Sequence, residues 1–118
     1  MERRQQKYHR ERLGEALREE IETMVEGELR DPRIGLATVT SVEIADDARS
    51  ARVLVAIEGS EEECQRSMEG LTAARSFIRH EVADRLQLRR APELFFVLDR
   101  SEKYNARINE LLKRTKKR

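Results

Sequence analysis

The sequence predicts an α+β domain with element order α-β-β-α-(break)-α-β, followed by a C-terminal helix and a basic tail. Three observations carry this reading. Apolar residues between Arg3 and Leu29 recur at helical steps, and two segments rich in β-branched residues alternate on either side of a polar turn. A second helical stripe, interrupted by an arginine, then leads through Pro92 into a short apolar run.

In the first segment Leu13, Ala16, Leu17, Ile21, Met24, Val25 and Leu29 lie three and four residues apart, which places them on one face of a long helix with charge on the other. Asp31-Pro32 ends it, because a residue before proline is driven out of the α region and proline lacks the amide proton a helix needs. Leu36, Thr38, Thr40, Val42 and Ile44 alternate with Ala37, Val39, Ser41 and Glu43, as a strand requires. After a turn at Asp46-Asp47-Ala48-Arg49-Ser50, a second strand carries Val53, Val55 and Ile57 on one face and Leu54 and Ala56 on the other. The two strands should form an antiparallel hairpin.

Ser60 and Glu63 have the spacing of a capping box, so the next helix starts near Glu61. Its stripe reads Cys64, Met68, Leu71, Ile78, Val82 and Leu86, but a straight helix would put Arg75 in the middle of that stripe. Either the guanidinium snorkels outward or the helix breaks near Ala74-Arg75-Ser76, and the break is the preferred reading. Ala91-Pro92 closes the helical region. Leu94 to Leu98, including Phe95 and Phe96, is then a fully apolar run suited to a buried strand that joins the hairpin by a right-handed crossover. Ser101 is a cap for a last helix with Tyr104, Ile108, Leu111 and Leu112, and the tail from Lys113 to Arg118 has no apolar anchor and should be mobile.

The length of 118 residues suits one domain with a single core. Charged residues make up 40% and hydrophobic ones 38%, which points to a thin core under an ionised surface. The start has no apolar run of a secretory signal and no stretch approaches the roughly 18 residues of a membrane span, so a cytoplasmic protein without membrane contact is expected. The single Cys64 has no intramolecular partner. The net charge of +1 conceals a segregation: residues 19–69 hold fourteen acidic against five basic residues, whereas residues 1–18, 70–92 and 93–118 are each basic. Such asymmetry points to a polyanion partner, since the field a partner feels is local.

Little in the chain supports catalysis. His9 and His80 have no nucleophile arranged beside them. His80 and Asp84 share a helix face without a third ligand, and Asp46-Asp47 sits where acids usually serve the turn backbone, so neither metal nor cofactor is expected. The glycines at 14, 27, 35, 59 and 70 fit no phosphate-binding loop and no Gly-x-x-Gly clamp. What remains is arginine. Arg75, Arg79, Arg85, Arg89 and Arg90 can line one edge, with Arg33, the N-terminal Arg3, Arg4, Lys7 and Arg10, and the C-terminal Lys113, Arg114, Lys116, Lys117 and Arg118 gripping the same polyanion. With few aromatics, and Phe95 and Phe96 assigned to the core, recognition of folded RNA by backbone and shape is favoured over the reading of splayed bases.

Taken in order, Glu28-Leu29-Arg30-Asp31-Pro32-Arg33-Ile34, Thr38-Val39-Thr40-Ser41-Val42, Asp47 with Ala51 and Val53, Ile78-Arg79, Leu86-Gln87-Leu88-Arg89, Pro92-Glu93-Leu94-Phe95-Phe96 and Asp99 resemble the ribosome-binding factor A family over nearly the whole chain. The resemblance implies a type II KH-like fold with a three-stranded sheet, in which a helix-kink-helix with an Ala-x-Gly signature replaces the glycine clamp. Ala74-Arg75-Ser76 matches that signature, with Ser76 where the family has Gly. It also implies a non-catalytic assembly factor that binds the immature small (30S) ribosomal subunit and its 16S rRNA and assists late maturation and 5′-end processing.

The expected organisation is a KH-like RNA-binding domain over residues 1–100 and a C-terminal helix with a mobile basic tail over 101–118, acting as a monomer with 16S rRNA, the small subunit and ribosomal proteins as partners. A second reading is a protein-interaction module whose acidic face, including Glu19, Glu20 and Glu22, docks basic proteins. An enzyme ranks third.

Overall fold

The computed structural model describes residues 2–100; the C-terminal helix and basic tail expected over 101–118 lie outside them. A long helix α1 (Glu2–Thr23) continues into one π-helical turn (Met24–Glu28), closed where the Leu29 amide donates to the Met24 carbonyl at 3.0 Å. Strands β1 (Ala37–Ile44) and β2 (Ser50–Ile57) form the expected antiparallel hairpin. Helices α2 (Glu61–Ala73) and α3 (Arg75–Arg85) cross over to β3 (Glu93–Leu98), which lies parallel to β2, so that β2 is the central strand.

One face of this sheet holds the core. Ala51, Val53, Val55 and Ile57 of β2 meet Ala37 and Val39 of β1 and Leu94 of β3, and the helices cover them with Leu17, Ile21, Met24, Cys64, Leu71, Ile78 and Val82. The simple alternation expected for β1 does not hold along its whole length. Ala37 and Val39 oppose Ile57 and Val55, but Val42 and Ile44 oppose Val53 and Ala51, because Thr40 is an extra residue between Val39 and Ser41. This bulge shifts the strand by one side-chain position, so residues of both phases reach the same face. The Thr40 hydroxyl lies 2.7 Å from Asp99 Oδ2 and 3.2 Å from the Leu54 carbonyl, which ties the bulge to the end of β3.

β3 is also not the fully buried strand its composition suggests. It is an edge strand in which Leu94 is buried and Phe96 packs against the core, while Phe95 points the other way and is 41% exposed. The helices cover only one face of the sheet, so even a fully apolar strand has one face to bury, and Arg52, the neighbour of Phe95 on the central strand, is exposed as well.

The capping box forms: Ser60 Oγ accepts from the Glu63 amide at 3.1 Å and Glu63 Oε1 accepts from the Ser60 amide at 3.4 Å. Ser67, buried in α2, holds the 31–36 connection, accepting from the Gly35 amide at 3.0 Å and donating to the Arg33 carbonyl at 3.3 Å. Gly70 permits this close packing, since a Cβ there would stand 2.7 Å from Ile34 Cγ1. Among the described residues no helix is long and apolar enough to cross a membrane.

Candidate nucleic-acid interface

Of the two readings of Arg75 in the apolar stripe, the preferred one, a break in the helix, is what forms. Ala74 alone separates α2 from α3, with φ −85° and ψ −1°, and its amide is shared between the Gly70 and Leu71 carbonyls at 3.1 Å each. The chain then resumes at once, the Ile78 amide reaching the Ala74 carbonyl at 2.9 Å. Because the backbone stays on the right-handed side, the break demands no glycine, and Ser76 sits inside α3.

The break turns the two halves so that each presents its own apolar residues inward, Cys64 and Leu71 from α2, Ile78 and Val82 from α3. Arg75 is released to the edge of the sheet, where its guanidinium lies over the Phe95 ring, 5.5 Å from the centroid. A planar cation on an aromatic face is favourable by electrostatics and by its weak hydration. One turn on, Arg79 Nε donates to the carbonyl of the buried Ala91 at 3.0 Å. Arg89 and Arg90 immediately precede Ala91, are exposed, and engage no partner among the described residues. Four of the expected arginines thus follow one another along the segment 89–95.

Arg85 does not join that row. Its guanidinium is drawn to the opposite side of α3, where it meets Glu28 at 2.8 Å and Glu20 and Glu81 at 3.5 Å. The Glu28 hydrogen bond leads the interactions that raise its pKa. Arg33 is likewise occupied, bound to Asp31 at 2.6 Å, and its hydrogen bonds hold the Asp31 carboxyl down at about 2. Of the N-terminal group, Arg3 lies at the start of α1, Arg4 and Lys7 are exposed, and Arg10 reaches the hairpin turn with Nη2 3.8 Å from Asp46. Lys113, Arg114, Lys116, Lys117 and Arg118 lie outside the described residues.

Two groups escaped the sequence reading. Arg49, exposed in the hairpin turn, offers its carbonyl to the Glu93 amide at 2.9 Å and so stands at the same end of the sheet as Arg89 and Arg90. Phe77, 55% exposed on α3, and Phe95 supply aromatic surface that the reading of few and buried aromatics had discounted. The acidic face of α1 is partly neutralised within the domain: Glu22 pairs with Arg18 at 2.9 Å and Glu20 with Arg85. His80 and Asp84 are exposed, and no group of three His, Cys, Asp or Glu side chains among the described residues is placed to hold a metal ion.

Comparison with known proteins agrees with the residue pattern. Residues 9–112 match the family profile described as ribosome-binding factor A. The chain is 61% identical to ribosome-binding factor A of Koribacter versatilis over 118 residues, covering all of this chain and 96% of the relative. It is 44% identical to that of Caldanaerobacter subterraneus subsp. tengcongensis over 115 residues, covering 97% of this chain and 94% of the relative. Among solved structures, the crystal structure of ribosome-binding factor A from Thermus thermophilus superposes with a TM-score of 0.69 at 26% identity, over 78% of this chain and 97% of that one. The solution structure of a Thermotoga maritima protein described as a putative ribosome-binding factor A gives 0.68 at 33% identity, over 76% and 86%. A homology model of the Thermus thermophilus factor, fitted into a cryo-EM map of its complex with the 30S subunit, gives 0.57 at 32% identity, over 78% and 92%. The α+β order, the helix break at Ala74 and these relationships lead to one conclusion: the chain belongs to the ribosome-binding factor A family.

Proposed function

We propose that this protein binds the immature small ribosomal subunit through a type II KH-like domain whose kinked helix grips 16S rRNA, and that it assists late maturation and 5′-end processing without catalysing a reaction. The observation that carries this reading is the row of Arg75, Arg79, Arg89 and Arg90 along the start of β3. Two of the four are already held in place, Arg75 by Phe95 and Arg79 by the Ala91 carbonyl. Ordering them beforehand lowers the entropy that phosphate binding would otherwise cost. Arg79 spends only Nε on the backbone, so both Nη groups remain available to phosphate oxygens.

The exposed Arg89 and Arg90, together with Arg49 at the hairpin end, extend the positive strip, and Arg4 and Lys7 on α1 supply additional contacts. Ribosomal proteins are neighbours in such a complex, the protein acts as a monomer in the cytoplasm, and no cofactor takes part. That a Thermus thermophilus relative has been fitted into a map of a 30S complex supports the same partner. Co-sedimentation with immature small subunits across a salt series tests the reading. Every phosphate that is no longer neutralised should reduce the steepness of log K against log salt by about 0.7–0.9. Replacing Arg79, Arg89 and Arg90 together by alanine should therefore flatten the slope by about two to three. An unchanged slope and affinity would overturn the assignment.

A further inference from the structure

A second surface feature lies on the other side of the break from β3. Between the 29–32 connection and the start of α3 runs an open groove whose apolar lining is Leu29, Pro32, Ala74 and the exposed Phe77. Phe77 makes no ring or cation contact among the described residues, in contrast to Phe95, which lies under Arg75. The π-helical turn ends at Glu28, on the rim of the groove.

Electrostatics decide what fits. Two carboxylates border the groove, and both are already neutralised: Glu28 by Arg85 at 2.8 Å and Asp31 by Arg33 at 2.6 Å. The remaining ionic side chain on the rim, Arg30, is exposed and engages no partner among the described residues. The groove thus offers an exposed aromatic ring, a proline ring and a single uncommitted cation, and its lining residue Ala74 adjoins Arg75 and the arginine row. That combination suits a planar apolar ring attached to an anionic backbone. Aromatic side chains accept any base by its π-face, with a guanidinium taking the adjoining phosphate.

We propose that this groove receives one unpaired nucleobase of the bound RNA, stacked on Phe77 against Pro32, with Arg30 on the adjoining phosphate. The proposal rests on the reading of the protein as an rRNA-binding factor and adds to it a contact that backbone recognition alone does not provide. Stacking releases no counterions, so it is separable from the arginine row. Phe77→Ala should weaken binding while leaving the salt slope in place, whereas the arginine substitutions change the slope.

The test uses the full-length protein with two probes, purified immature small subunits and a deproteinised 16S rRNA transcript. Short-wave ultraviolet irradiation of each complex, followed by mass spectrometry, should give a peptide containing Phe77 that carries one nucleotide. Phe77→Ala should weaken binding to both probes by about 5- to 100-fold, with Phe77→Trp retaining affinity. Phe77 is exposed, so thermal unfolding serves as the control that each variant is folded. Absence of the adduct together with binding of Phe77→Ala within about twofold of the parent would overturn the proposal. The reading of the arginine row would still stand if Arg79, Arg89 and Arg90 continued to set the slope. Loss of binding to subunits alone, with the transcript bound normally, would show that the groove takes a ribosomal protein, and would overturn the proposal as well.

Discussion

Replacing Ser67 by alanine should destabilise the domain by about 1.5 kcal/mol. The hydroxyl is buried and makes two hydrogen bonds to the backbone of the 33–35 connection, at 3.0 Å from the Gly35 amide and 3.3 Å to the Arg33 carbonyl. A net hydrogen bond contributes about 0.5–1.5 kcal/mol, so the pair is worth about 1–3 kcal/mol. Alanine returns roughly 0.5 kcal/mol through its better helix propensity in α2. For a domain of this size the difference corresponds to a fall in Tm of about 5–10 °C. Thermal unfolding followed by circular dichroism measures it. Because Arg30 and Pro32 lie directly before this connection in the chain, the variant should also bind the rRNA transcript more weakly at a temperature where it is fully folded. A Tm within about 1 °C of the parent would refute the account, since it would mean that water replaces both contacts at no cost.

Four further outcomes follow from the geometry. Arg85→Gln should lower the Tm, because Glu20, Glu28 and Glu81 are left facing one another, and should leave the salt slope of RNA binding unchanged; a flattened slope would place Arg85 among the phosphate contacts. The Asp31 carboxyl titrates at about 2 instead of 3.8, so its contribution is fully present above 3.8 and is lost as the pH falls from there toward 2. The difference in urea midpoint between the parent and Asp31→Asn should accordingly shrink across that window, and a constant difference would contradict it. Ser60→Ala removes the side-chain cap of α2 and should cost about 1 kcal/mol in chemical denaturation. Ser76→Gly, which would complete the Ala-x-Gly signature that the resemblance implies, should destabilise by about 0.5 kcal/mol, because the position is helical and the break at Ala74 has no need of it; stabilisation would show that the kink is strained.

The helix break was legible because it follows from a conflict that periodicity exposes: no arrangement of a straight helix keeps Arg75 out of the apolar face. The hairpin and the capping box were legible for similarly local reasons, whereas the first helix ends at Glu28, with Leu29 already extended, before the stop expected at Asp31-Pro32. The bulge at Thr40 was not, although its trace is present. Ala37 and Val39 are apolar in one phase and Val42 and Ile44 in the other, and only pairing against a regular β2 shows that both belong to one face. The commitments of individual arginines were illegible altogether. Arg79 and Arg85 look alike in a helical pattern, yet one lies beside the Ala91 carbonyl and the other beside three carboxylates from α1, the π turn and α3, and those neighbours are set by tertiary packing. The exposure of Phe95 is not legible because composition does not reveal that the helices leave one face of the sheet uncovered.

The π turn at the end of α1 has a consequence for chain length. A turn whose hydrogen bond spans one residue more than an α-helical turn has the geometry of a single-residue insertion accommodated without breaking the helix. Gly27 lies within it, exposed, and a Cβ there would meet nothing within 4 Å, so this is where a residue can be inserted or removed with least damage to packing. Deleting Gly27 should leave the Leu29 amide four residues beyond the Met24 carbonyl, the spacing of an ordinary α-helical hydrogen bond. The 29–32 connection would then leave α1 at a different angle, displacing Glu28 from Arg85 and Arg30 from the groove while the core residues of α1 keep their places. Members of the family one residue shorter here would differ in how this rim is aimed and would share the same sheet.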